Sequence, residues 1–188
     1  MITTPARLFQ RFGVVLVGAS VLTGCTGPEP APPPPVAPTP EEASGCPESG
    51  VQITAGPVDA ASGLRAMGVV LTNCGTSDRT VHGFPVVRVL DEDRKPLGVV
   101  VGNGSEPVSA PDSYDAPPEP ITLRPGDRAA ARVLWRSEVT DSTNPALNGT
   151  YLEVAPAAGE PAQVVEPDGG IDLGTTGRLA VNPWAVRS

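Results

Sequence analysis

Few residues in this 188-residue chain could do chemistry. The sequence has three cysteines and a single histidine, His82. No serine lies in a Gly-x-Ser-x-Gly turn, so a Ser-His-Asp triad would have to be assembled around His82 without any local signal. Within residues 79–83 the histidine fits the end of a strand. We therefore predict no catalytic residues, and we expect that the protein is not an enzyme.

Metal and cofactor chemistry has equally little support. Copper binding by an exported protein needs clusters of Met and His, and only Met67 and His82 remain once the initiator methionine is removed. Asp91 and Asp93 could begin a calcium loop, but the further oxygen ligands and the glycine of an EF-hand loop are missing. We expect no metal and no cofactor, and we interpret residues 91–96 as a polar hairpin turn.

The alternative to a non-enzymatic protein is a hydrolase that acts on envelope glycans or peptides through a carboxylate pair. Residues 46–188 contain 18 acidic side chains, but nothing in the sequence selects two of them. A carboxylate pair, or a pair of His82 and a carboxylate, in one concave pocket would refute the binding module in favour of the hydrolase.

Three arginines form the one cationic pattern in an acidic chain. The formal net charge is -8 and the only lysine is Lys95, which argues against nucleic acid as a partner. Arg128, Arg132 and Arg136 would share one face of a strand and could bind phosphate or carboxylate groups of envelope polymers. The alternative, which we favour, is a solvated face neutralised by acidic neighbours such as Glu153.

The cysteine at position 25 has the context of a lipid attachment site. Arg7 and Arg11 precede a 13-residue run without charges, residues 12–24, which is too short to span a membrane and is typical of a secretory signal. The run ends in Leu-Thr-Gly-Cys25, which resembles the lipobox of bacterial lipoproteins. The resemblance implies cleavage before Cys25 and acylation of its thiol, and two acyl chains anchor a protein stably. We therefore expect a lipid anchor at the outer face of the cytoplasmic membrane.

A proline-rich tether follows the predicted anchor. Residues 26–45 contain eight prolines and no basic group. Such a stretch favours extended polyproline II and would reach about 60 Å at ~3.1 Å per residue. We divide the chain into a signal peptide at 1–24, the lipidated cysteine with a disordered linker at 25–45, and a folded domain at 46–188.

The remaining cysteines, Cys46 and Cys74, form an even pair in an exported domain. Disulfides persist outside the cytoplasm, so we predict a bridge between them.

The folded domain has the pattern of short β-strands. In residues 127–136 the odd-numbered positions hold Ala129, Ala131, Val133 and Trp135, whereas the even-numbered positions include the three arginines. This alternation is typical of a strand with one buried and one exposed face. Pro125-Gly126 suits a type II turn and predicts a hairpin between residues 121–124 and this strand. Similar runs, separated by Gly, Pro, Asn and Asp, occur at 51–54, 64–73, 85–91, 97–101, 151–155, 163–166 and 178–181. The pattern predicts an all-β fold, an antiparallel β-sandwich of the immunoglobulin type.

One long stretch in the domain lacks any periodic alternation of apolar and polar residues. Residues 102–120 are rich in Pro, Ser and Asp. Loops of this length are either functional or disordered, and we favour disorder.

An ordered series of motifs carries a family resemblance. The motifs are LTNCG at 71–75, GFPVVRVLD at 83–91, ITLRPGDRAAARVLW at 121–135, YLEVAP at 151–156, IDLGTTGRLAV at 171–181 and Pro183-Trp184. Behind a lipobox and a tether they resemble the actinobacterial lipoproteins grouped as domain of unknown function 4232. The resemblance implies an extracytoplasmic β-sandwich with no established activity. We expect a surface-tethered module that binds a protein or polymer of the cell envelope.

Overall fold

The computed structural model describes residues 45–110, 112 and 115–187. The signal segment at 1–24, the lipobox with Cys25 and the tether up to residue 44 lie outside the described residues. Within them, no helix is long and apolar enough to cross a membrane.

The described part of the chain is built from strands. Their bounds in chain order are β1 Val51–Ala61, β2 Leu64–Asn73, β3 Arg79–Val81, β4 Val86–Leu90, β5 Val100–Asn103, β6 Ile121–Leu123, β7 Arg128–Arg136, β8 Leu147–Gly149, β9 Tyr151–Ala155, β10 Gln163–Val165, β11 Ile171–Gly174, β12 Arg178–Val181 and β13 Ala185–Val186. The predicted all-β class is confirmed, since the strands form several sheets.

The largest sheet has six strands in the order β1-β2-β7-β12-β5, and β13 also pairs with β7. All its pairs are antiparallel except β5 with β12. Three smaller antiparallel sheets contain β10-β9-β4, β11-β8 and β3-β6.

The alternation predicted for β7 decides where the core lies. Ala129, Ala131, Val133 and Trp135 are all buried, and together they form one face of the strand. They belong to a single hydrophobic cluster that also takes in Met67 and Leu71 of β2 and buried residues of the smaller sheets, namely Val81, Val87, Val89, Leu123, Leu152, Val154, Ile171 and Leu173. The opposite face of β7, which we call the outer face, carries the three arginines.

A tight hairpin and a disulfide define the start of the domain. Ser62 and Gly63 connect β1 to β2, and both have positive φ angles, +48° and +79°, as a type I′ turn requires. At the other end of the hairpin, Cys46 and Cys74 form the predicted disulfide. The Gly50 carbonyl accepts hydrogen bonds from the backbone N–H groups of Cys74 and Gly75, each at 3.0 Å.

The predicted hairpin between residues 121–124 and β7 is wrong, although the turn itself forms. Gly126 has a φ of +90° and the Asp127 N–H donates to the Arg124 carbonyl at 2.9 Å. However, β6 pairs with β3 and β7 pairs with β2. The reason is Asn73 at the end of β2, whose backbone N–H and carbonyl bind the Asp127 carbonyl and the Gly126 N–H at 3.0 and 2.7 Å. The chain therefore turns a corner between two sheets here.

Candidate binding groove on the outer face of the large sheet

The described residues of 104–120, which follow β5 and which we call the covering stretch, lie over part of the outer face. Val108 packs against Leu134 of β7 and Ala180 of β12, and all three are buried in a second hydrophobic cluster. Ser105 is fully buried. The expected disorder of residues 102–120 is therefore wrong for the described part of that stretch, because its apolar and small residues find partners on the sheet.

A polar network fixes this cover. The Asn182 side chain, 1% exposed, donates to Asp115 Oδ1 at 2.8 Å and to Ser105 Oγ at 3.3 Å. The Ser105 backbone N–H donates to the same Asp115 oxygen at 2.6 Å. Burial acts to raise the pKa of Asp115, but hydrogen bonds from the backbone N–H groups of Asp112 and Ser105, with the charge of Arg132, hold that pKa below its usual value.

The three arginines of β7 share the outer face but have different surroundings. Arg128 is exposed. Arg132 forms an ion pair with Asp112 and donates from Nε to Asn182 Oδ1 at 3.2 Å. Arg136 donates to the Val108 carbonyl at 2.7 Å and to Glu138 at 3.1 Å.

The arginines therefore do not form one open stripe. Arg132 and Arg136 are each compensated by a carboxylate, as the solvated-face alternative expects, but not by Glu153. That residue lies on β9 and pairs with Arg88 of β4 at 2.7 Å. A role of the three arginines in anion binding stays a prediction.

A groove of about 900 Å³ lies on the outer face beside the covering stretch. Ala66 and Gly68 of β2 and Ala130 of β7 line it from the sheet, and their small size leaves the space open. The sheet also contributes Met67, Ala131 and Arg132, and the rest of the lining comes from Asp59, from segment 116–122 and from segment 182–187. Pockets of about 300–1,000 Å³ are typical of ligand sites.

Trp184 anchors the second of these segments. Its side chain is 3% exposed and donates from Nε1 to the Pro156 carbonyl at 2.8 Å. Its backbone N–H donates to the Gly83 carbonyl at 2.9 Å. The Pro183-Trp184 pair of the sequence motif therefore holds the segment that forms one part of the groove.

The lining of the groove also includes two carboxylates, although no contact joins them as a pair. Asp59 and Glu119 both line it, and both are exposed, as are the lining residues Thr122 and Arg187. Sequence reasoning did not select this pair, because Asp59 lies on β1 and Glu119 in the covering stretch, and no spacing rule connects them. Only the fold places them at the same groove.

The other residues considered from the sequence lie elsewhere. His82 is exposed, directly after β3. Asp91 Oδ1 accepts hydrogen bonds from the backbone N–H groups of Asp93 and Lys95 at 2.9 and 2.8 Å, which is a turn motif. Across residues 45–187, apart from the three that are not described, no group of three or more His, Cys, Asp or Glu side chains is arranged to hold a metal ion.

Sequence reasoning also missed a carboxylate beside the start of β2 and the end of β7. Asp172 of β11 accepts hydrogen bonds from Trp135 Nε1 at 3.0 Å and from Arg65 at 2.8 Å. Burial acts to raise the pKa of Asp172, but the bonds from Trp135, Arg65 and Ser137 outweigh it and lower that pKa. The available signal was Trp135 itself, since a buried indole N–H usually finds an acceptor.

Comparison with known proteins gives one match. The family model described as Domain of unknown function (DUF4232) matches residues 46–185. No curated protein and no solved structure matches the chain.

Proposed function

We propose that this chain, which belongs to the DUF4232 family, is a lipid-anchored extracytoplasmic module that binds a protein or polymer of the cell envelope and is not an enzyme. The observation that carries the binding role is the groove of about 900 Å³ on the outer face of the large sheet. The anchor would be the acylated Cys25, so the resemblance to actinobacterial lipoproteins is part of this proposal.

The lining of the groove supports an elongated ligand. Its sheet side includes the small residues Ala66, Gly68 and Ala130, with Arg132 opposite Gly68 on the neighbouring strand. Pro117, Pro120 and Pro183 supply rigid apolar contacts, and charged side chains of both signs, Glu119 and Arg187 among them, lie in the same lining. A lining that combines small residues, prolines and charged side chains can contact both the apolar and the polar parts of a polymer chain or a peptide segment.

Gly68 offers a way to block the groove without damaging the fold. A Cβ at Gly68 would have no atom within 4 Å, and its φ is not in the left-handed region. In Gly68→Leu the new side chain would therefore occupy the groove. Gly98→Leu is the matched control, because Gly98 is equally open and does not line the groove.

The test is crosslinking on intact cells with a photoreactive residue at Ala185, which is exposed and lines the groove. We expect a crosslinked partner that is lost in Gly68→Leu and kept in Gly98→Leu. The same photoreactive residue at Val164 on β10, 39% exposed, should give no such product. A partner captured equally from both positions, or unaffected by Gly68→Leu, would contradict a groove-based binding role.

The membrane anchor has its own test. Metabolic labelling with a fatty acid should label the wild-type chain, and Cys25→Ala should abolish the label. Retention of the label in that variant would refute attachment at this residue.

We also propose that the four sheets form an immunoglobulin-like β-sandwich. Supporting this, one buried cluster contains residues of the large sheet and of all three smaller sheets. An experimental structure with two facing layers and Greek-key connections is the expected result.

A hydrolase is the second candidate, because Asp59 and Glu119 line the same groove. A general acid is normally a carboxyl held in a buried or crowded environment, whereas both of these side chains are exposed. Incubation of the purified protein with isolated envelope glycan and peptide decides between the candidates. Product release that Glu119→Gln abolishes would establish the hydrolase, and absence of product from wild type that still captures its partner would establish the binding module.

A further inference from the structure

A second cavity, of about 470 Å³, lies where the end of β7 approaches the turn between β11 and β12. We call it the Arg–Thr pocket. Its lining includes Arg136, Thr140, Thr175, Thr176, Arg178 and the apolar Val108. It shares no lining residue with the groove.

The turn that forms one side of this pocket is held tightly against the chain after β7. The Thr175 backbone N–H donates to the Glu138 carbonyl at 2.9 Å. Gly174 has a φ of +58°, and a Cβ there would overlap the backbone of Glu138, so only glycine permits this approach. Thr176 Oγ1 donates to the Leu173 carbonyl at 2.8 Å. The pocket is therefore formed before any ligand arrives.

The Thr175 hydroxyl is prepared to donate a hydrogen bond. Its oxygen accepts the backbone N–H groups of Thr140 at 2.8 Å and Asp141 at 3.1 Å. A hydroxyl has two acceptor lone pairs and one hydrogen, so once both lone pairs are used it can only donate. The Thr140 hydroxyl lies 3.5 Å away and can donate as well. If Thr175 donates to the Thr140 oxygen, the Thr140 hydroxyl hydrogen remains available, so this pair of pocket-lining hydroxyls can offer one donor to a ligand.

Two guanidinium groups provide positive charge at the same place. Arg136 is oriented by its bonds to the Val108 carbonyl and to Glu138. Arg178, at the start of β12, is exposed, and its side chain has no ion pair or hydrogen bond with any residue that the structure describes. One carboxylate therefore compensates two cations in the lining.

The neighbouring carboxylate does not neutralise Arg178. Asp141 Oδ1 accepts hydrogen bonds from the backbone N–H and the hydroxyl of Thr143 at 2.7 and 2.6 Å, and its other oxygen accepts from Asn144. These bonds, led by the one from the Thr143 hydroxyl, lower the pKa of Asp141. Both of its oxygens are bonded within its own loop, and neither forms an ion pair with Arg178.

We propose that the Arg–Thr pocket binds an oxyanion, a carboxylate or a phosphate, on a ligand of about monosaccharide size. Arginine forks and hydroxyl donors are the groups that recognise such oxygens. The volume exceeds that of a bare ion and falls in the range of ligand pockets. Val108 offers an apolar contact to the body of the ligand. This binding is independent of the groove and of the lipid anchor.

The experiment is a titration of the ¹⁵N-labelled protein, followed by amide chemical shifts, with three probes. Glucuronate presents a carboxylate, glucose 6-phosphate presents a phosphate, and glucose is the neutral control. We expect saturable shifts at the amides of Thr140, Thr175, Thr176 and Arg178 with at least one acidic probe and none with glucose. Whichever acid binds more tightly identifies the oxyanion.

Two variants locate the binding. Arg178→Gln should weaken binding about tenfold or more while leaving the melting temperature unchanged, because this side chain makes no bond with a described residue. Arg128→Gln removes an exposed arginine of β7 outside the pocket and should leave the affinity unchanged. Absence of saturable shifts at these amides with both acids would overturn the proposal, as would equal affinity in wild type and Arg178→Gln.

Discussion

Breaking the Cys46–Cys74 bridge should lower the stability of the domain without changing its fold. The hydrogen bonds from Cys74 and Gly75 to the Gly50 carbonyl hold the same end of the hairpin and do not depend on the sulfurs. Native contacts near the bridge therefore survive its loss. The cost arises mainly in the unfolded chain, which regains the freedom that the closed loop removed.

The size of the effect follows from the length of the loop. The two cysteines are 28 positions apart, and closing a loop of this length stabilises a protein by about 3.6 kcal/mol in the chain-entropy model. An unfolding entropy of ~2.1 cal/mol/K per residue gives a domain of this size roughly 0.3 kcal/mol/K in total. The loss of about 3.6 kcal/mol is a large share of the ~5–15 kcal/mol that stabilises a typical domain. The melting temperature should therefore fall by about 12 °C.

Calorimetry with and without a thiol reductant measures this shift. The protein should carry Cys25→Ala, so that only one cysteine pair can respond. Cys46 is exposed, which gives the reductant access. The double variant Cys46→Ser/Cys74→Ser is the control and should melt at the temperature of the reduced protein, with or without reductant. A shift below about 3 °C would refute the loop-entropy reasoning, and a change in the amide spectrum of the folded state would refute the claim that native contacts survive.

Three further substitutions test the polar and packing contacts of the domain. Asn73→Ala should cost about 2–3 kcal/mol in urea unfolding, because the buried Asn73 amide donates to the Ser77 and Leu123 carbonyls at 2.9 Å each. The pKa of Asp172 is lower in the folded protein than in the unfolded chain, where it is about 3.9. The Asp172 carboxylate therefore stabilises the fold at pH values above the unfolded-state pKa, and this stabilisation is lost as the pH falls through the folded-state pKa. Asp172→Asn should therefore flatten the acid limb of stability measured between about pH 5 and pH 2. Gly149→Ala should destabilise by about 1–3 kcal/mol in the same urea assay, since its Cβ would overlap the buried Val89 side chain, whereas Gly98→Ala, with open space around it, should not.

The strands that carry a clear alternation could be predicted from the sequence. The bounds Leu64–Asn73, Tyr151–Ala155 and Arg178–Val181 agree with β2, β9 and β12. In β2 and β9 the burial of one face forces an alternation that can be read back, whereas β12 is buried on both faces and shows only as a short apolar run. The prediction for residues 97–101 was less accurate, because β5 begins at Val100 and the Leu97 N–H instead bonds to the Val89 carbonyl.

Some of the shortest strands and the pairing of strands could not be predicted, although β6 and β10, with three residues each, fall within the predicted runs 121–124 and 163–166. β3, β8 and β13 have two or three residues each, too few for a period to appear. The hairpin prediction at Pro125-Gly126 failed because a turn sequence specifies local φ angles, whereas the partner of β7 was decided by Asn73, some fifty residues earlier. Pairing is a property of the whole sheet rather than of the turn.

The candidate sites depend on such distant contacts and so left little trace in the sequence. The arginines of β7 were found from their spacing, but their partners Asp112 and Asn182 come from two other segments. The groove and the Arg–Thr pocket combine residues from both halves of the domain. The sequence did single out one segment that lines both sites, since residues 102–120 were too long and too polar to be an ordinary connection.

The position of β7 between β2 and β12 has a consequence for how the protein is made. A chain that emerges from its N-terminus exposes the finished β1–β2 hairpin before the neighbour of β2 exists, because β7 ends at Arg136 while β2 ends at Asn73. Both cysteines of the bridge lie within or beside that early hairpin. The disulfide can therefore close before β7 is available and hold β2 against β1. One edge of β2 then stays paired, so that only its other edge is open to pairing with another chain.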